Sequence, residues 1–291
     1  MKLTCIGEIL WDVFDHAEHL GGAVFNLAAH AAQMGHDVCF ISAVGDDERG
    51  RRALLQAGEL GVRTDYIKTV AGQPTGYVTV SLDDGGQPTY VIHRPVAYDF
   101  ASLSDGELTA ISDSEPHWIC YGTLHQITGG ARELTRRLVD AIPGARTFYD
   151  VNLRKDSYTP ELVDSLLRMA NVVKLNDAEV EALGVMLDLP HASIEEFCRR
   201  NAGAFGWEAV CVTRGAAGCS LLLDGGFVES PGQPVKVADA VGAGDAFAAA
   251  FLHGLGEGWP AERIAAFANR VGGFVASQSG AVPRWSPAGF Q

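Results

Sequence analysis

Residues 238–251 read ADAVGAGDAFAAAF, where a run of small residues passes through Asp245 into an alanine-rich apolar stretch. The pattern predicts a buried helix over 243–256, entered from a turn that carries almost no side-chain bulk. In an α/β protein with a mostly parallel sheet, the ligand crevice lies outside the carboxyl ends of the strands, where helix N-termini point their free N–H groups. Gly242, Ala243 and Gly244 let the backbone come close to a ligand, so their amides can surround an oxyanion or a phosphoryl group in transfer. Asp245 stands beside that hole. A carboxylate repels phosphate, yet it is well suited to take the proton of a hydroxyl attacking phosphorus. An acid is equally a common complement to a helix N-terminus. The stretch alone leaves both readings open.

The rest of the chain supplies the expected sheet. Short β-rich runs at 2–6, 37–42, 117–121, 146–150, 171–175 and 208–213 alternate with amphipathic stretches at 24–34, 47–60, 131–141, 160–169, 177–185, 193–203, 243–256 and 260–277. That alternation predicts an α/β fold, a central mostly parallel sheet covered by helices on both faces. One stretch breaks the rhythm. Residues 75–93, TGYVTVSLDDGGQPTYVIH, place two alternating β-branched runs around an Asp83-Asp84-Gly85-Gly86 turn, which predicts a hairpin serving as a separate flap.

Composition narrows the class. With 291 residues the chain is long enough for one large α/β domain with a small insert. Its 36 Asp and Glu against 22 Lys and Arg give a formal charge of -14, which argues against nucleic acid as partner. Six scattered cysteines form no C-x-x-C pair and several lie in apolar runs, as in a reducing cytoplasm. No apolar stretch approaches the roughly 18 residues that span a bilayer, so no membrane association is expected. The histidines, His16, His19 and His125 among them, show no metal-ligand spacing. There is no Gly-Lys dipeptide, hence no Walker-type loop, and no G-x-G-x-x-G opens a helix.

The segment DAVGAGDAFAAAFLHGL (239–255) resembles the C-terminal signature of the ribokinase-like, or PfkB, carbohydrate kinases, and LGGAVFNLAAHAAQMG (20–35) resembles their N-terminal one. GEILWD (7–12), DVNLR (150–154), KLNDAE (174–179) and VTRGAAG (212–218) are similar to further family segments, so the resemblance covers essentially the whole chain. It implies a three-layer α/β sandwich forming a single domain over 1–291, with a small β lid from insertions at roughly 12–20 and 66–100. It also implies an ATP-dependent sugar kinase in which Asp245 is the catalytic base and Gly242, Ala243 and Gly244 form the anion hole.

Further roles follow from the same resemblance, each beside an ordinary structural alternative. Asp12, Gly21, Gly22 and Asn26 bind sugar; alternatively Asp12 is an ordinary loop acid, the glycines serve only a tight turn, and Asn26 satisfies a buried one. Arg94 resembles a lid arginine that reaches substrate, although HRPVAYD departs from the usual spacing, and a solvated surface charge is the alternative. Asn176, Thr213, Gly215, Gly218 and Asn269 line the nucleotide side, where Thr213, Gly215 and Gly218 could equally form a plain β-turn. Glu179 holds Mg2+ through water, or merely favours the first turn of its helix. ASQSGAVP (276–283), with Asp239 and Val241, resembles the region where some members hold K+ by backbone carbonyls. GEILWDVF, the hairpin and YGTL (121–124) look most like the fructokinase branch, with ribose, 2-keto-3-deoxygluconate or nucleoside kinases as alternatives, and a non-catalytic sensor on the same fold as another. An exposed lid edge invites a homodimer.

Overall fold

A computed structural model describes residues 1–82 and 88–290, so the expected turn at Asp83-Asp84-Gly85-Gly86 lies outside the described residues. In chain order the strands are β1 (Lys2–Ile6), β2 (Leu10–Val13), β3 (Glu18–Gly21), β4 (Asp37–Gly45), β5 (Ile67–Val70), β6 (Gly76–Leu82) and β7 (Pro88–Ile92), followed by β8 (Trp118–Gly122), β9 (Arg146–Asp150), β10 (Val172–Asn176), β11 (Ala209–Thr213), β12 (Cys219–Leu223) and β13 (Gly226–Ser230). The helices are α1 (Ala23–Gln33), α2 (Glu48–Glu59), α3 (Asp105–Asp113), α4 (Gly129–Ala141), α5 (Pro160–Met169), α6 (Asp177–Met186), α7 (Ile194–Phe205), α8 (Ala243–Gly256) and α9 (Ala261–Ala276).

Nine strands form one sheet in the order β13-β12-β11-β10-β9-β8-β1-β4-β5. Those from β11 to β5 run parallel, and β12 and β13 close one edge antiparallel. The inner strands are buried along nearly their whole length, as both-face coverage requires. One apolar core joins that sheet to α1, α2, α8 and α9, and a second joins its other face to α3 through α7. This is the expected three-layer α/β sandwich. From β1 the sheet grows one way to β4 and the other way to β8, so the order reverses beside β1. Ligand crevices open at such a reversal.

A second sheet, ordered β3-β2-β6-β7, stands apart from the first. It draws on the two segments expected to build a lid, with one correction. Residues 67–70 pair with β4 in the large sheet, so the second segment enters the small sheet only at Gly76. Sequence reading also missed α3, although Ser104 and Glu107 form a reciprocal capping box at its start. The short strands β2, β3, β5 and β13 went unassigned because four or five residues carry too little alternation to stand out.

Helix starts fall into two kinds. Side chains of Asp47, Ser104, Thr128, Thr159, Asn176 and Ser193 cap α2 through α7. By contrast α1 and α8 begin at Gly22 and Gly242, both with positive φ and neither bringing a capping side chain; the Ala23 amide is met by Glu8 and the Ala243 amide by the Ala240 carbonyl at 3.4 Å.

Candidate active site

Parallel strands deliver their carboxyl ends to one rim. Glu8 follows β1, Asp150 ends β9, Asn176 ends β10 and Thr213 ends β11. Asp245 comes in above them from the first turn of α8.

The two glycine termini meet through side chains. Asn26, on the first turns of α1, donates from Nδ2 to Asp245 Oδ2 at 2.8 Å. Asp12 lies on β2 rather than in a loop, and a Cβ on Gly21 would sit 2.9 Å from Asp12 Oδ2 and 3.9 Å from Asn26 Oδ1. Gly22 adopts φ +118, and a Cβ there would lie 2.4 Å from the Glu8 carbonyl oxygen. Asp12, Gly21, Gly22, Asn26 and Asp245 are therefore neighbours, with the glycines leaving backbone bare between the acids. Glu8, which sequence reading did not single out, supports this platform: its Oε1 accepts from Ala23 N at 2.8 Å, at the head of α1.

Arg94 is not a solvated charge. Its Nη2 donates to Asp99 Oδ1 and to the Leu124 carbonyl, and its guanidinium lies 5.2 Å from the Tyr98 ring centre. Several buried polar atoms here have no hydrogen-bond partner among the described residues: Glu8 Oε2, Asn26 Oδ1, Tyr98 Oη, and Arg94 Nε and Nη1.

Charge is organised around one buried cation. Lys174 sits in the middle of β10 in register with Asp150, and its Nζ lies 3.1 Å from both Asp150 carboxylate oxygens. Burial works against the ammonium, but Asp150, Glu179 and Asp245 together outweigh it and hold the lysine protonated. A Cβ on Gly244 would come 3.4 Å from Lys174 Nζ, so this cation underlies the α8 turn. Sequence reading named neither Lys174 nor Asp150 individually. The available signal was a lysine inside the apolar run NVVKL, since a charge in a central parallel strand must be paired.

Burial pushes the Asp245 carboxyl up to about 7, the Asp150 charge adds to this, and Lys174, Asn26 and Arg154 oppose it. A carboxylate poised there can both accept and release a proton near neutrality. Burial likewise lifts Asp12 to about 6 against the pull of Arg154 and His19. Arg154, exposed in the loop after β9, acts on Glu8, Asp12, Asp150 and Asp245 at once.

The remaining predicted residues lie along the rim toward β13. Asn176 caps α6 through Oδ1, which accepts from Glu179 N at 2.8 Å. Glu179 returns the cap to Asn176 N at 2.9 Å and also accepts from Leu153 N at 2.8 Å, so both carboxylate oxygens already serve backbone amides. Thr213 Oγ1 donates to the Leu175 carbonyl at 3.4 Å. Gly215 and Gly218 have φ +52 and +92, and a Cβ on Gly218 would strike the Ser230 carbonyl oxygen at 2.1 Å. Asn269 of α9 donates to the carbonyls of Ser230 and Pro231 and to Ser230 Oγ. These six residues thus form a second group, running from the paired ends of β10 and β11 at Asn176 and Thr213 to Gly218 and Asn269 beside the end of β13, and separate from the Asp12–Asn26–Asp245 set.

Among the described residues no group of three or more His, Cys, Asp or Glu is arranged to hold a metal, and no helix is long and apolar enough to cross a membrane.

Known proteins share this architecture. The fructokinase of Klebsiella pneumoniae is 29% identical over 280 residues, covering 92% of this chain and 88% of the relative. The aminoimidazole riboside kinase of Salmonella typhimurium is 27% identical over 270 residues, covering 87% and 81% respectively. The crystal structure of a fructokinase with bound ATP from Xylella fastidiosa superimposes with a TM-score of 0.85 at 24% identity, over 97% of this chain and 95% of that one. The family model described as pfkB family carbohydrate kinase matches residues 6–287, and the chain, with its base candidate and glycine turn in the matched span, belongs to that family of carbohydrate kinases.

Proposed function

We propose that the protein transfers the γ-phosphoryl group of ATP to the primary hydroxyl of a sugar, and that fructose is the acceptor, giving fructose 6-phosphate. The observation that carries this reading is the hydrogen bond from Asn26 to Asp245 at the glycine-capped start of α8. In this reading it joins the sugar platform to the base, beside the turn of Gly242, Ala243 and Gly244, whose helix start no side chain caps.

In this reading Asp12 and Asn26 accept and donate hydrogen bonds to sugar hydroxyls over the bare backbone of Gly21 and Gly22. The unpartnered atoms of Glu8, Asn26, Tyr98 and Arg94 support such a ligand, because a polyhydroxylated molecule offers the donors and acceptors they lack. Asp245 orients the attacking hydroxyl and takes its proton. The glycine-turn amides stabilise charge that builds on the transferred group. Asn176, Thr213, Gly215, Gly218 and Asn269 form the nucleotide wall.

Mg2+, where bound with ATP, would supply positive charge against the phosphates, and Glu179 would hold it. Glu179 fits contact through water, since both its oxygens are engaged by amides and Mg2+ retains its waters readily. K+ belongs to the same reading: Asp239 accepts from Val241 N and Gly280 N, which brings together the two segments whose carbonyls would hold the ion. Rates in potassium and in a bulky organic cation test it. The small sheet serves as lid, excluding water that would otherwise hydrolyse ATP. Its exposed Phe14, Tyr90 and Val91 support a lid-to-lid dimer.

Fructose is favoured by the fructokinase relatives and by GEILWDVF and YGTL in the sequence. Coupled ADP release with Mg-ATP across fructose, ribose, glucose, 2-keto-3-deoxygluconate and adenosine tests it. A clear preference for fructose is expected. Turnover of another acceptor alone discards the fructose assignment and keeps the kinase; binding without turnover of any acceptor returns the sensor reading.

A further inference from the structure

The helix that carries Asn26 also carries His30, one turn on and on the same face. His30 is fully buried, and both ring nitrogens are engaged. Nε2 donates to the Ala281 carbonyl at 3.0 Å, and Nδ1 accepts from the indole N–H of Trp285 at 3.0 Å. Because a carbonyl only accepts and an indole N–H only donates, the two partners fix the neutral ring with its proton on Nε2. Gln33, three residues further along, extends the grip: it donates to the Pro283 carbonyl at 3.3 Å and accepts from Trp285 N at 2.9 Å. Residues 281–285 are thus strapped onto α1.

The strap presses on the glycine turn. Gly242 has φ +78, and a Cβ there would lie 2.3 Å from the Ala281 carbonyl oxygen and 2.6 Å from Ala281 Cα. The oxygen that His30 holds is therefore the one backing Gly242. From the other side, Asp239 ties Gly280 to the residues leading into the same turn. Two residues of α1 spaced by four hold the two halves of the transfer site, Asn26 the base and His30 the backing of the anion hole.

We propose that His30 is a positioning residue for phosphoryl transfer: by fixing the Ala281 carbonyl it sets the Gly242 turn, and so couples the sugar-bearing helix to the anion hole. This rests on the assignment of Gly242 to Gly244 as that hole. A histidine is required because one small, rigid ring must donate on one edge and accept on the other inside an apolar helix interface. A leucine fills the space and does neither. The effect falls on turnover, since Asp12 and Gly21 do not depend on the strap, and misplacement by about 1 Å is enough to cost up to roughly 100-fold.

The test compares wild type, His30→Leu, His30→Gln, Trp285→Phe and the His30→Leu/Trp285→Phe double variant for kcat and sugar KM, with melting temperature as control. His30→Leu is expected to lower kcat by roughly 10- to 100-fold with sugar KM within about threefold. His30→Gln, whose amide N–H reaches the same carbonyl, restores part of the loss. Trp285→Phe frees Nδ1 and lowers kcat less, about threefold, and the double variant is no worse than His30→Leu, because both act through one strap. A folded His30→Leu with kcat within twofold of wild type overturns the inference, as does a loss confined to KM. If His30→Leu does not fold, Trp285→Phe decides: unchanged kcat overturns it. Asp245→Asn, run alongside, separates the premises, since an active Asp245→Asn sinks the reading of the site rather than the role of His30.

Discussion

Replacing Asp245 by Asn removes a carboxylate that the fold disfavours, so the variant should lose turnover and gain stability at alkaline pH. The group is 8% exposed and its proton is held up to about 7, against 3.8 ordinarily, by burial first and Asp150 second. At about 1.4 kcal/mol for each pH unit, holding the ionised form folded costs on the order of 4 kcal/mol. The sign follows from proton counts. Between pH 3.8 and about 7 the folded protein keeps a proton that the unfolded chain has released, so stability falls as pH rises through that window and is flat above it. From pH 5.5 to 8.5 the wild type therefore loses about 2 kcal/mol through this group, or roughly 3 °C in melting temperature. The amide introduced by Asp245→Asn cannot titrate, and its oxygen still accepts from Asn26. Asp12 and Glu8 titrate in both proteins and cancel in the comparison. Thermal or denaturant unfolding of both proteins at pH 5.5 and 8.5 reads the difference directly. Parallel pH dependence in the two proteins would refute the claim that Asp245 is a desolvated, proton-poised carboxyl.

The same proton predicts that kcat in the wild type rises with pH up to about 7 and then levels; a flat profile from pH 5.5 to 8.5 contradicts a base there. Lys174→Met leaves Asp150 and Asp245 without their shared cation and is expected to cost about 3–5 kcal/mol in unfolding assays. Where that variant folds, the acid limb of its rate profile moves to higher pH, and an unmoved limb would show that the lysine does not govern Asp245. Gly242→Ala forces a side chain to φ +78 and against the Ala281 carbonyl at 2.3 Å, so both stability and turnover fall, turnover by roughly 100-fold. Gly130→Ala on α4, with open space around its Cβ, should be neutral in both measurements.

Much of the fold was legible because its parallel strands are continuous apolar runs and its helices amphipathic, and α8 falls on 243–256 as read from the sequence. The hairpin expected over 75–93 corresponds to β6 and β7, but β2 and β3 were not legible, since they are four residues each and β2 joins the small sheet through β6, some 65 residues away. Local pattern carries no record of such pairing. The same limit applies to the site. Asp245 and its glycine turn announce themselves locally, whereas the Asp150–Lys174 pair exists only through the β9–β10 register. For Glu179 the sequence offered two roles, water-mediated contact with Mg2+ and a place in the first helical turn; the structure shows the second, a capping box joined by Leu153 N, in which both oxygens are engaged, so that contact with a metal would run through water. Nothing in the sequence singled out His30, beyond its lack of metal-ligand spacing, because the stretch of tail that gives it a partner lies some 250 residues away.

Whether Asp245 is the base of a fructose kinase is decided by coupled ADP release with fructose and Mg-ATP for wild type and Asp245→Asn, with fructose affinity of both measured by calorimetry. The variant is expected to bind fructose within a few-fold of wild type and to lose turnover by roughly a thousandfold, the scale of removing a general base. Turnover within tenfold of wild type, at unchanged affinity, would contradict that assignment.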